Sequence, residues 1–108
     1  MKISESRERS MDDNEARVFA AELGNPPEVD LHGLEDVNQG VQVLDQFLHQ
    51  QFMAGSEAVR IIHGRGSGRM RQAVHTLLSS HELIPFFRDS YKPGEVQGVT
   101  YAALAKRF

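Results

Sequence analysis

The stretch Ala58-Val59-Arg60-Ile61-Ile62-His63-Gly64-Arg65-Gly66-Ser67-Gly68-Arg69 changes character halfway along. Its first five residues are compact and largely β-branched, which predicts a strand. Glycines then alternate with other residues from Gly64 to Gly68, which predicts a tight turn. From Arg69 onward Met70, Ala73, Val74, Leu77 and Leu78 recur at helical spacing, so a helix follows to near Ser80. A strand running through a glycine turn into a helix is half of a parallel α/β unit.

The other half lies upstream. Val29-Asp30-Leu31-His32 reads as a short strand closed by Gly33, with Val29 and Leu31 on one face and Asp30 and His32 on the other. Val37, Val41, Leu44, Leu48 and Phe52 then form the stripe of an amphipathic helix ending near Gly55. Gly40 inside it costs about 1 kcal/mol relative to alanine. Downstream, Leu83 to Asp89 predicts a strand whose Pro85 suits an edge or a bulge. Tyr91-Lys92-Pro93-Gly94 is turn-like, and Val99 to Leu104 gives a last strand able to pair with the one before. The order is β-α-β-α-β-β, an α/β fold with the early strands parallel and helices packed on the sheet.

The chain has 108 residues, 40% hydrophobic and 25% charged, with no cysteine. One domain is the natural count, and disulfides, thiol nucleophiles and zinc-thiolate sites are excluded. No apolar run approaches the ~20 residues that cross a bilayer. The charged start (Lys2, Glu5, Arg7, Glu8, Arg9) is no secretory signal, so no membrane partner and a cytoplasmic location are expected. Residues 1–27 read as a flexible acidic extension. Within it, a short helix from Asp12 would carry Ala16, Phe19, Ala20 and Leu23 on one face and stop at Gly24. Asn25-Pro26-Pro27 breaks any helix, so the body is expected to span 28–108.

The net charge is −3, which argues against a generic polyanion binder. Its distribution qualifies that. Residues 1–30 carry −4 and residues 31–108 carry +1, with Arg60, Arg65, Arg69 and Arg71 clustered and no acid between Arg60 and His81. A basic spot on one face is the expectation.

Asp30 and His32, two apart in a strand, project from one face, where a carboxylate and an imidazole can share a metal, a water or a substrate proton. Both lie at the carboxyl end of the first strand, and His63 lies at the carboxyl end of the second. The crevice beyond such ends is where open α/β sheets bind ligands. Gly64, Gly66 and Gly68 leave backbone amides uncovered at a helix N-terminus, an anion cradle to which Ser67 belongs and to which Arg65, Arg69 and Arg71 add phosphate donors. The loop is neither a Walker loop nor a dinucleotide fingerprint, so no nucleotide cofactor is expected. His49, His75 and His81 read as structural or solvent-facing. Phe86, Phe87, Tyr91 and Tyr101 are open between base stacking and core packing. Ser67 has no base arranged for it, which leaves a serine hydrolase unsupported.

Asp30-Leu31-His32-Gly33-Leu34, followed by a helix and then Ile62-His63-Gly64-Arg65-Gly66-Ser67-Gly68-Arg69-Met70-Arg71, closely resembles the Smr (small MutS-related) domain over Val29 to Phe108. The resemblance implies a two-layer α/β sandwich similar to the C-terminal domain of bacterial translation initiation factor three. It also implies an endonuclease or nicking activity on DNA or RNA, in some members connected with stalled ribosomes. Asp30 and His32 match the Asp-Leu-His motif, and His63, Gly64 and Gly66 match His-Gly-x-Gly. The chain departs from the family at Glu35, Gln39 and Gly40, at Met70, and at Glu95 and Gln97 before the last strand.

On this basis Asp30, His32 and His63 are the expected catalytic residues, His32 or His63 serving as general base. Asp30 would orient a histidine or, with His32, hold a divalent ion such as Mg²⁺ or Mn²⁺. Gly64, Arg65, Gly66, Ser67, Gly68, Arg69 and Arg71 would bind the nucleic acid. The alternative is a non-catalytic DNA-, RNA- or ribosome-binding module built on the same loop.

Overall fold

The structure, a computed structural model, describes residues 12–107. Its elements are α1 (Asp13–Leu23), β1 (Glu28–Asp30), α2 (Val37–Met53), β2 (Ala58–Ile62), α3 (Arg69–Ser80), β3 (Phe86–Asp89) and β4 (Val99–Ala103). From β1 onward this is the strand and helix order that the sequence predicts. The sheet order is β1-β2-β4-β3, with β1 parallel to β2 and β4 antiparallel to both its neighbours. β3 stands at the edge and starts just after Pro85, where a missing N–H interrupts no central ladder.

The helices α2 and α3 cover one face of the sheet. Leu44 and Leu48 of α2 and Val74 and Leu78 of α3 close over Leu31, Val59, Ile61 and Ala102, all nearly or fully inaccessible to solvent. Gly40 makes room for α3 against α2, since a β-carbon there would come within 2.6 Å of Met70 Sδ. Its helix-propensity cost is therefore offset by packing that alanine would disturb.

The other face is covered by α1. Val18 packs against Val99, Tyr101 and Ala103. Residues 1–11 of the expected extension lie outside the described residues, but from Asp13 the helix is docked, and on a different side from the one predicted. Phe19 is 43% and Leu23 69% exposed, whereas Val18 and Glu22 are buried. Polar contacts decide the docking face. Arg17 Nη1 donates to the carbonyls of Glu57 and Leu104 at 2.7 and 2.8 Å. The Glu22 carboxylate accepts from Arg88 Nη2 at 2.9 Å, Ser90 Oγ at 3.1 Å and the Tyr91 amide at 2.6 Å. An apolar stripe alone does not register such contacts, because a buried charge needs partners from distant segments. Asp12 caps the helix start and exchanges hydrogen bonds with Glu15 in a capping box.

Candidate active site

Because β1 and β2 are parallel neighbours, their carboxyl ends emerge at the same edge of the sheet. The ladder extends one residue further, with Leu31 N donating to Ile62 O at 2.7 Å. The next residue on each strand is a histidine, His32 on one side and His63 on the other. Gly64, at φ 76°, then turns so tightly across the first strand that a β-carbon on it would lie 2.9 Å from His32 Cβ. The two motifs thus meet. Between them opens a crevice lined by His32, Leu34, Glu35, Val37, His63 and the loop from Gly64 to Met70.

On the β1 side, Asp30 and His32 form a dyad. Asp30 Oδ1 accepts from the His32 amide at 3.0 Å and lies 2.6 Å from His32 Nδ1. A carboxylate oxygen can only accept, so Nδ1 carries the proton and neutral His32 keeps its lone pair on Nε2. The hydrogen bond from the His32 ring, then that from its amide, hold the Asp30 carboxyl below the usual range against slight burial. Both side chains are at least half exposed, so the pair carries little of the fold's stability. Asp30 Oδ1 takes both of these hydrogen bonds, which leaves the other carboxylate oxygen as the one that would meet a divalent ion such as Mg²⁺ or Mn²⁺.

On the β2 side, Gly68 caps α3 at φ 87° with no side chain of its own, and Ser67 Oγ accepts from the Arg69 amide at 3.3 Å. Arg65 and Arg69 are exposed on this loop, the stem of Arg65 lying near Gly98. Among the described residues they are the cationic side chains with neither an ion pair nor a hydrogen bond. Arg17, Arg60, Arg71, Arg88, Lys92 and Lys106 face carboxylates, and Arg107 donates to the Met53 carbonyl. The predicted basic cluster of four therefore shrinks to two, because acids remote in sequence reach its other members. Glu28 and Glu95 hold Arg60 at 2.6 Å each, and Asp89 holds Arg71.

Arg71, one of the expected phosphate donors, is held in an ion pair with Asp89 while staying partly exposed. It lines a separate groove with Gln72, His75, Thr76 and Ser79. His63, the other expected general base, is enclosed. It borders the crevice but is only 4% exposed, and both ring nitrogens are engaged, Nε2 2.8 Å from Thr100 Oγ1 and Nδ1 3.2 Å from Gly64 O. Burial lowers its pKa, with the nearby His75 and Arg71 acting in the same direction. His32 alone offers a free imidazole lone pair to the crevice.

His75, expected to be structural or solvent-facing, lies half-buried beside His63 with ring centroids 6.0 Å apart. Helical spacing from Gly68 places it two turns along α3, facing the sheet end. The His81 side chain is nearly covered and reaches Asp45 at 2.7 Å, tying the end of α3 to α2, while His49 stays exposed on α2. Tyr101 is core, Phe86 and Phe87 pack on opposite clusters, and Tyr91 is exposed with the Arg88 guanidinium 3.7 Å from its ring centroid. None of these aromatics lines the crevice. No helix among the described residues is long and apolar enough to cross a membrane.

The Smr domain family model matches residues 29–105, which contain both halves of the crevice. Endonuclease MutS2 of Aquifex aeolicus is 40% identical over 70 residues, 65% of this chain but 9% of that protein. The chain thus spans a small part of such curated relatives. The Smr domain of Thermus thermophilus MutS2 superposes with a TM-score of 0.67 at 38% identity, over 72% of this chain and 96% of that one. YdaL, a stand-alone small MutS-related protein from Escherichia coli, shares the fold with a TM-score of 0.69 at 22% identity, over 89% of this chain and 80% of that one.

Proposed function

We propose that this chain, which belongs to the Smr domain family, binds a nucleic-acid strand and cuts one of its phosphodiester bonds in the crevice between His32 and the Gly64–Arg69 loop. One observation carries the reading. A base oriented by a carboxylate stands across a crevice from the two unpaired arginines and a helix N-terminus whose cap, Gly68, has no side chain.

The roles divide by chemistry. Arg65, Arg69 and the first amides of α3 hold the phosphate and stabilise the negative charge that grows as its phosphorus is attacked. His32 Nε2 takes the proton from the attacking oxygen as that oxygen bonds to phosphorus. The bond to the leaving oxygen breaks, and that oxygen takes up a proton from solvent or from the His32 imidazolium. Asp30 fixes the tautomer that keeps Nε2 basic and offsets the charge His32 gains. No step is assigned to a metal ion.

The test is incubation of purified protein with structured DNA and structured RNA, with and without EDTA, beside the Asp30→Ala/His32→Ala double variant. Wild type is expected to yield cut products and the folded double variant none. A double variant that cuts at the wild-type rate overturns the reading. Wild-type protein that binds these substrates but cuts neither leaves the chain a binding module of the same loop.

A further inference from the structure

Behind the crevice wall, three strand ends and α3 bring together groups that the proposed chemistry does not use. Thr100 is the direct cross-strand partner of Asp89 on β3 and of Ile61 on β2, two residues before His63. Its side chain is fully buried. Thr100 Oγ1 lies 2.8 Å from His63 Nε2, 2.9 Å from His75 Nε2 and 3.3 Å from Asp89 Oδ1, and His75 Nε2 is 3.2 Å from the same Asp89 oxygen.

Counting protons orders these contacts. His63 Nδ1 faces the Gly64 carbonyl, which can only accept, so Nδ1 carries hydrogen and neutral His63 has its lone pair on Nε2. Thr100 has one hydroxyl proton, and its shortest contact is to that lone pair. With the proton committed there, the hydrogen at Asp89 Oδ1 comes from His75 Nε2, shared between the carboxylate and the threonine oxygen, while Arg71 donates to Asp89 Oδ2. Burial lowers the pKa of both histidines, in keeping with the neutral forms this count requires. A chain of donors results, from His75 to Thr100 to His63 to the Gly64 carbonyl, anchored on Asp89. A cation is a poor occupant of this cluster, because Arg71 already faces the Asp89 carboxylate and Thr100 Oγ1 stands within 3.3 Å of each ligand-type atom.

We infer that Thr100, His75 and Asp89 form a positioning relay that holds His63 in its Nδ1-protonated tautomer and, through the Gly64 carbonyl, sets the phosphate loop against His32. The functional consequence rests on the reading of the crevice given above; the tautomer does not. Thr100→Val removes the hydroxyl at nearly constant shape, and Thr100→Ser keeps it. His75→Leu removes the donor at a half-buried position, and His75→Gln supplies an amide N–H near the place of Nε2.

The experiment is nitrogen-15 NMR of the imidazoles and of the Gly64 to Gly68 amides, with oligonucleotide affinity measured in parallel. Wild-type His63 is expected to show a protonated Nδ1 and a bare Nε2. Thr100→Val and His75→Leu are expected to give mixed His63 tautomers, shifted loop amides and about tenfold weaker binding, while Thr100→Ser and His75→Gln stay near wild type. If Thr100→Val fails to fold, the His75 pair carries the same comparison. A wild-type His63 protonated on Nε2, or folded Thr100→Val and His75→Leu proteins with unchanged tautomer and loop shifts, overturns the relay. A wild type with the expected tautomer that binds no oligonucleotide leaves the relay standing and removes the phosphate reading instead.

Discussion

Gly64 packs so closely on His32 that a β-carbon at position 64 would sit 2.9 Å from the histidine's own. The turn after β2 is therefore the seat on which the imidazole of the first motif rests. At φ 76° the backbone is also in the left-handed region that side chains resist, at a cost of roughly 1–2 kcal/mol. Gly64→Ala is predicted to lose that much stability or more, because the contact lies at the base of His32 and not at a flexible tip. It should also displace the His32 resonances. Gly66→Ala, with nothing within 4 Å of its added carbon, should leave them in place. Thermal unfolding and a histidine NMR spectrum check both statements.

The arginines separate into binding and structural groups. Arg65→Ala and Arg69→Ala are each predicted to reduce the slope of log affinity against log salt by about 0.7–0.9, the effect of one lost phosphate contact, with melting temperature unchanged. Arg71→Ala should do the reverse, leaving the slope in place while exposing the Asp89 carboxylate to burial without its counter-charge. Oligonucleotide titrations at several salt concentrations, paired with melting curves, distinguish the groups.

Acid should loosen the docking of α1. The hydrogen bond from Arg88 chiefly depresses the Glu22 pKa below its ordinary 4.5, with the Tyr91 amide and Ser90 adding to it against the opposing effect of burial. A group with a lowered folded-state pKa contributes stability that is complete above its unfolded value and disappears as pH falls through the folded one. Stability is therefore predicted to drop below pH 4.5 in part through Glu22. Glu22→Gln should cost about 3 kcal/mol at neutral pH by leaving Arg88 without its carboxylate, and should flatten this part of the acid limb. Urea unfolding across the pH range reads both effects.

Gly40 gives a further check on the packing. Alanine there gains about 1 kcal/mol of helix propensity but presses on Met70 Sδ and Cε at 2.6 and 2.7 Å. Paired with Met70→Ala, which vacates that space, Gly40→Ala should be more favourable than in the wild-type background. Equal effects in both backgrounds would show that the helices do not meet at this point.

What the sequence discloses here is what depends on near neighbours. The stripe from Val37 to Phe52, the β-branched run before His63 and the glycines after it each declare an element within a few residues, and two parallel strands then bring Asp30 and His32 to the Gly64 loop. Partners across the sheet are another matter. Arg71 meets Asp89 and His63 meets Thr100 only because β4 inserts between β2 and β3, an order no local spacing contains. So an arginine expected to be free is paired, and a histidine expected to be reactive is enclosed. The docking side of α1 was hidden for the same reason, since Glu22 and Arg17 are explained by Arg88, Tyr91 and Leu104, far along the chain.

The assignment of His32 as the base is tested most directly by single-turnover cleavage of a phosphodiester substrate by His32→Ala, with and without free imidazole. The side chain is 62% exposed, so small bases can enter the space it vacates. Loss of the base should slow cleavage about 10²–10⁴-fold at unchanged melting temperature, and added imidazole should restore part of the rate. A His32→Ala protein that cuts as fast as wild type contradicts the account.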